Sequence, residues 1–142
     1  MRITRKREQR IILLDQQSYI HRLGRTYGVI SSISSSNRLM IPMDKRPSTK
    51  DGPVSDEEKE SKSDCPYRAI IGSLMYSALS MRPDVAYSTA ALAQCSANPG
   101  MAHWSASRRI LQYLMDTSHY KLRLGGGDRI HVQIFSDADW AG

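Results

Sequence analysis

Pro66-Tyr67-Arg68-Ala69-Ile70-Ile71-Gly72-Ser73-Leu74-Met75-Tyr76-Ser77-Ala78-Leu79 decides the fold of this sequence. Ile70, Ile71, Leu74, Met75, Ala78 and Leu79 recur at steps of three and four, which puts them on one face of a helix. Pro66 suits a first helical turn, where its missing N–H loses no hydrogen bond. Gly72 interrupts the stripe, and a glycine there predicts close approach by a neighbour.

Downstream the helical reading continues. Ser80-Met81-Arg82-Pro83-Asp84 is a break, with Arg82 and Asp84 flanking the proline as a structural turn with a local ion pair. Pro83 opens a second helix whose face is Val85, Thr89, Leu92 and Ala93, and Asn98-Pro99-Gly100 ends it. A third helix carries Trp104, Ile110, Leu111, Leu114 and Met115 near one side and Arg108, Arg109 and Gln112 on another. The period then becomes two. Tyr120, Leu122 and Leu124 alternate with Lys121 and Arg123. Gly125-Gly126-Gly127-Asp128 turns the chain, and Ile130, Val132 and Ile134 alternate again, predicting a terminal β-hairpin.

Upstream lies a segment of different composition. Residues 31–64 open on a serine-rich run, hold three prolines and end in Asp56-Glu57-Glu58-Lys59-Glu60. So few apolar residues follow Met43 that burial cannot offset the entropy of ordering, which predicts a disordered linker. Before it, Arg2–Lys6 and Arg10–Leu14 read as a hairpin around Arg7-Glu8-Gln9. Tyr19, Ile20, Leu23 and Tyr27 share a helix face, with Asp15 as the expected N-cap and Gly28 as the stop. Gly24 weakens that helix. The expected fold is α+β: an N-terminal hairpin and helix (1–30), the linker (31–64), a helical subdomain (65–118) and a strand-rich end (119–142).

The 142 residues suffice for one small domain or pieces of two. A net charge of +6 and a pI near 9.5 suggest a polyanionic partner. Cys65 and Cys95 form no CxxC pair, and the four histidines have no acid or thiol beside them, so neither a disulfide framework nor a zinc site is expected. His103 and Trp104 read as a helix-start histidine and a core tryptophan. Ser and Cys nucleophiles lack a base, and no helix follows the glycine run as a phosphate loop requires. The start, Met1-Arg2-Ile3-Thr4-Arg5-Lys6-Arg7, lacks the apolar stretch of a signal peptide, and no run approaches the roughly 20 apolar residues of a membrane span. A cytoplasmic or nuclear setting is the expectation, with no membrane and no small-molecule substrate.

Several stretches, taken in order, resemble the copia-type retrotransposon polyprotein. They are Asp15-Gln16-Gln17-Ser18-Tyr19-Ile20 with Tyr27-Gly28-Val29, Pro66 to Tyr76, Arg82-Pro83-Asp84-Val85-Ala86-Tyr87, Asn98 to Trp104, Arg109 to Leu114, and Phe135-Ser136-Asp137-Ala138-Asp139-Trp140-Ala141-Gly142. The likeness covers nearly all of the chain outside residues 31–64. Gly24, Ile41 and Met81 depart from the family's usual residues.

The resemblance implies the last part of a reverse transcriptase, with thumb- and connection-like helices, followed by the first strand of a ribonuclease H domain. In the parent element this region serves RNA-directed DNA synthesis that precedes DNA integration. The family's polymerase acids include a Tyr-x-Asp-Asp hairpin, which this sequence does not contain. Asp137 corresponds to the first metal-binding aspartate of ribonuclease H. Both activities use Mg²⁺ in the parent polyprotein, held by several acids together. The fragment alone is therefore expected to be inert and to hold no cofactor. Asp139 reads as a turn acid. The resemblance also implies that Arg5, Lys6, Arg7, Arg108, Arg109, Lys121 and Arg123 grip the backbone of an RNA/DNA hybrid or primer–template. The alternatives are a non-catalytic nucleic-acid-binding remnant and a decayed reading frame.

Overall fold

A computed structural model describes residues 1–31, 38–53 and 65–126. The element order is β1 (Arg2–Lys6), β2 (Ile11–Asp15), α1 (Gln17–Thr26), a 3₁₀ turn (Thr49–Asp51), α2 (Tyr67–Ser80), a second 3₁₀ turn (Pro83–Val85), α3 (Ala86–Ala93), α4 (Met101–Asp116) and β3 (Leu122–Gly125). The fold is α+β, with four α-helices and one sheet among the described residues.

The three central helices form where the spacing of apolar residues predicts them. Ile70, Leu74, Leu92, Ile110, Leu111 and Leu114 are fully buried and form the core with Ile20 and Leu23 of α1. This close-packed cluster supplies most of the hydrophobic stabilisation, at about 25 cal/mol per Å² of apolar surface removed from water. Gly72 departs from expectation: a Cβ placed there meets nothing within 4 Å, and the residue is exposed. The contact expected at Gly72 belongs to Gly24. A Cβ on Gly24 would lie 2.6 Å from Met115 Sδ and 2.8 Å from the Val29 carbonyl oxygen. Gly24 thus costs α1 some intrinsic helicity and permits close packing of α1 on α4.

The cap of α1 is also a correction. Asp15 is the last residue of β2, paired with Arg2, and the N-cap is Gln16, which makes no side-chain capping bond. Sheet pairing uses Asp15 one residue too early for a cap. At the other end Gly28 (φ +62°) takes the left-handed conformation that lets the chain leave the helix.

β1 and β2 form the expected hairpin, with strand two shifted by one residue. Arg7–Arg10 make its turn, and Arg10 has φ +53°. β3 then pairs antiparallel with β2, giving the order β1-β2-β3, with Ile11 opposite Gly125 and Leu14 opposite Leu122. The other arm of the expected terminal hairpin, Ile130 to Ile134, lies outside the described residues.

Part of the segment assigned by composition to a linker is described, and it lies along the helices. Leu39 and Met43 pack against the core. The Leu39 N–H donates to Asp116 Oδ2 (3.3 Å), Arg109 pairs with Asp44, and the Ser48 carbonyl accepts from His103 Nε2 at 2.9 Å. Two apolar anchors and a few polar ties suffice where hydropathy alone predicts none.

Candidate nucleic-acid interface

Strand alternation sorts the cations of the sheet. Residues opposite each other on neighbouring strands point to the same face. Lys6, Ile11 and Gly125 therefore share one face with Thr4, Leu13 and Arg123, while Arg5, Ile12 and Leu124 share the other. The expected trio Arg5, Lys6 and Arg7 is split: Lys6 lies on the Arg123 side, Arg5 opposite, and Arg7 in the turn. All four are exposed, and none has an ion pair among the described residues. Arg10, expected at the start of the second strand, joins them at the turn end. The Arg5 face is otherwise apolar: Ile3 (61% exposed), Ile12 (38%) and Leu124 (46%) stand on it.

The remaining expected cations are engaged. Lys121 Nζ lies 4.0 Å from the buried Asp15 carboxylate. Arg109 pairs with Asp44, and Arg108 Nη2 donates to the Gly28 carbonyl at 3.2 Å. Arg108 and Arg109 nonetheless line a cleft of about 430 Å³ with Val29, Leu39 and Ser105. A cation already paired within its own protein loses that pair when it turns to a phosphate, so Lys121 and Arg109 are weaker candidates than Lys6, Arg7 and Arg123. Exposed pairs are worth little, about 0–1 kcal/mol, so the handicap is small.

The densest polar cluster lies elsewhere. Arg82, 3% exposed, forms a two-pronged pair with Asp84 (Nε–Oδ1 3.0 Å, Nη2–Oδ2 2.8 Å). It also donates to the Thr117 carbonyl (3.2 Å) and hydroxyl (2.6 Å), and its guanidinium lies over the rings of Tyr113 and Tyr120. The Tyr113 hydroxyl donates to Asp84 Oδ2 at 3.0 Å. Burial alone would raise the Asp84 carboxyl, but the hydrogen bonds and charge of Arg82 and the Tyr113 hydroxyl outweigh it and hold Asp84 below its ordinary value. Burial, then the bond to Asp84, pushes Tyr113 up. The expected local ion pair at Pro83 is thus the centre of a joint between the α2–α3 turn and the end of α4. Arg82, Asp84, Tyr113 and Thr117 each bond to others of the four within the protein, which marks the joint as structural.

His103 is fully buried. Its Nδ1 accepts from the Gly100 N–H (2.7 Å), so Nε2 carries the hydrogen given to Ser48. It is the helix-start residue expected, with a second task of tethering residue 48. Trp104 is half-buried, its ring 6.4 Å from that of Tyr27. Burial pushes the Cys95 thiol up, and Cys65 and Cys95 are both free.

Among the described residues no group of three or more His, Cys, Asp or Glu could hold a metal ion. Asp137 and Asp139 lie outside them. The divalent-metal chemistry implied by the family therefore has no seat in the described residues. No helix among the described residues is long and apolar enough to cross a membrane.

Known proteins are similar to this sequence. The retrovirus-related Pol polyprotein from transposon TNT 1-94 of Nicotiana tabacum is 35% identical over all 142 residues, which span 10% of that polyprotein. The Pol polyprotein from transposon RE2 of Arabidopsis thaliana is 42% identical over 76 residues, 54% of this chain and 5% of that one. The uncharacterized mitochondrial protein AtMg00810 of the same plant is 28% identical over 131 residues, 92% of this chain and 50% of that protein. No family model and no solved structure matches the chain. The chain is homologous to the retrovirus-related Pol polyproteins of plant transposons, in keeping with a fragment of a copia-type retrotransposon polyprotein.

Proposed function

We propose that the chain is the part of such a polyprotein that follows the polymerase palm, running from the end of the reverse transcriptase into the first strand of the ribonuclease H domain. Its role there is to hold the backbone of a primer–template or RNA/DNA hybrid, without carrying out phosphoryl transfer by itself. The observation that supports this reading is the cluster of exposed cations without ion partners among the described residues at the turn end of the sheet: Lys6, Arg7, Arg10 and Arg123. Lys and Arg recognise phosphates by charge and, for Arg, by a forked pair of hydrogen bonds. The order of the family-like stretches from Asp15 to Gly142 supports the place in the polyprotein. The lack of a Tyr-x-Asp-Asp sequence supports the absence of polymerisation.

The test is a titration of a labelled RNA–DNA hybrid with the purified chain at several salt concentrations. Each lost phosphate contact lowers the slope of log K against log salt by about 0.9. Replacing Lys6, Arg7 and Arg123 together by Gln is expected to lower it by nearly three such contacts. Absence of binding at low salt, where phosphate contacts are strongest, overturns the reading. So does RNA cleavage or DNA synthesis by the pure chain.

A further inference from the structure

A second surface stands apart from the cationic turn. At the start of α1 a groove of about 290 Å³ is lined by Gln16, Ser18, Tyr19 and Arg22 of the α1 segment and by Tyr76 of α2. Gln16 is 4% exposed, and neither its amide nitrogen nor its amide oxygen has a hydrogen-bond partner among the described residues. A buried carboxamide with both halves unpaired is costly to fold around, so such groups are rare without a reason. The side chain does not cap α1, although it occupies the N-cap position. The first turn of this ten-residue helix holds no acidic residue, and the nearest acid, Asp15, lies before the N-cap and faces Lys121.

The walls of the groove supply complementary chemistry. The Arg22 guanidinium lies 5.2 Å from the Tyr19 ring centre, which holds it near the helix start. Tyr19 in turn meets Tyr76 edge to face at 5.1 Å and donates a long bond to the Ser73 carbonyl (3.4 Å). Tyr76 is 53% exposed, an aromatic side chain held against a neighbour yet open to solvent. A helix N-terminus and an arginine recognise a phosphate. An open aromatic ring recognises the face of a base. A carboxamide offers a donor and an acceptor side by side, as a base edge does.

We propose that this groove seats one nucleotide of an unpaired nucleic-acid strand, its phosphate at the start of α1 beside Arg22, its base against Tyr76 and its edge toward Gln16. A duplex keeps its base faces stacked inside, so the groove discriminates single strand from double. The site rests on the nucleic-acid reading above and names the form of nucleic acid it takes.

The experiment measures anisotropy of a labelled oligothymidylate, and of a DNA duplex of equal length, with the whole 142-residue chain. Tyr76→Ala is expected to weaken single-strand binding about 5- to 150-fold, the range of one lost base–aromatic stack, and to leave duplex binding unchanged. Arg22→Gln is expected to lower the single-strand salt slope by about 0.7. Gln16→Met removes the unpaired amide while keeping its volume; it is expected to weaken single-strand binding without lowering the melting temperature. A purely structural glutamine gives the opposite pattern, a lower melting temperature with binding intact, and that result overturns the site. Single-strand binding unaffected by both Tyr76→Ala and Gln16→Met also overturns it, and where the hybrid is still bound through Lys6, Arg7 and Arg123 the proposed function survives. Binding of neither hybrid nor single strand at low salt overturns both.

Discussion

The helical body and the sheet handle charge in opposite ways. In the body Arg82 is buried and meets Asp84, Thr117 and two aromatic rings, and Asp116 accepts from Ser31 and Leu39. On the sheet Lys6, Arg7 and Arg123 stand in water without ion partners among the described residues, and Ile3, Ile12 and Leu124 are exposed on the face opposite Lys6 and Arg123. A charge tied on every side holds a shape; a charge left open is available to something outside. The contrast assigns stability to one region and recognition to the other, and it can be broken by experiment.

The largest effect is expected at Arg82. Arg82→Ala strips the hydrogen bonds from the buried Thr117 groups and from Asp84, whose side chain is 33% exposed; bonds to a charged group are worth about 1.5–3 kcal/mol each, so the loss of several is expected to exceed about 3 kcal/mol. Urea denaturation checks this; a change under about 1 kcal/mol would mean that the joint is ornamental. Next comes the apolar core. Leu111→Ala is expected to cost about 2–5 kcal/mol because Leu111 is fully buried. Leu124→Ser, on the sheet, should stay within about 0.5 kcal/mol of the parent, as substitutions of exposed residues do. Equal losses at the two sites would erase the distinction.

A smaller effect is pH-dependent. Asp84 is held below its ordinary value of 3.8 when folded, so the folded state binds fewer protons than the unfolded chain. Its contribution is complete above that value and is lost as pH falls through the lower, folded one. The melting temperature should therefore drop below about pH 4, and the drop should be shallower in Asp84→Asn; parallel acid profiles would remove Asp84 from the account. The smallest effect on stability is expected from Lys6→Gln, Arg7→Gln and Arg123→Gln, each within about 0.5 kcal/mol by thermal melt. A large loss there would show that the open cations have structural work after all.

The body was more legible than the sheet for a physical reason. The repeats of Ile70, Leu74 and Ala78, and of Ile110, Leu111 and Leu114, are local patterns, and local patterns survive in a single sequence. The joint at Arg82 was half legible: Asp84 is two residues away, whereas Thr117 is 35 residues away. Asp15 looked like a helix cap because capping is judged over four residues, but a strand pairing with Arg2 claimed it. The packing of Leu39 and Met43 was hidden by the polar residues around them. The groove at Gln16 gave one signal only, a basic and aromatic helix face at Tyr19 and Arg22. Tyr76 joins it through tertiary packing that no spacing encodes.

The pairing of β2 with β3 carries a consequence for synthesis. Ile11 meets Gly125, a residue made 114 positions after it (125 − 11). While the ribosome works through that interval, the nascent hairpin has one flank of amide and carbonyl groups waiting for a strand not yet made. Such an interval favours pairing with any other extended segment nearby, a second nascent copy included. Translation speed across residues 16–121 therefore bears on yield, and slower passage should leave more chains in aggregates.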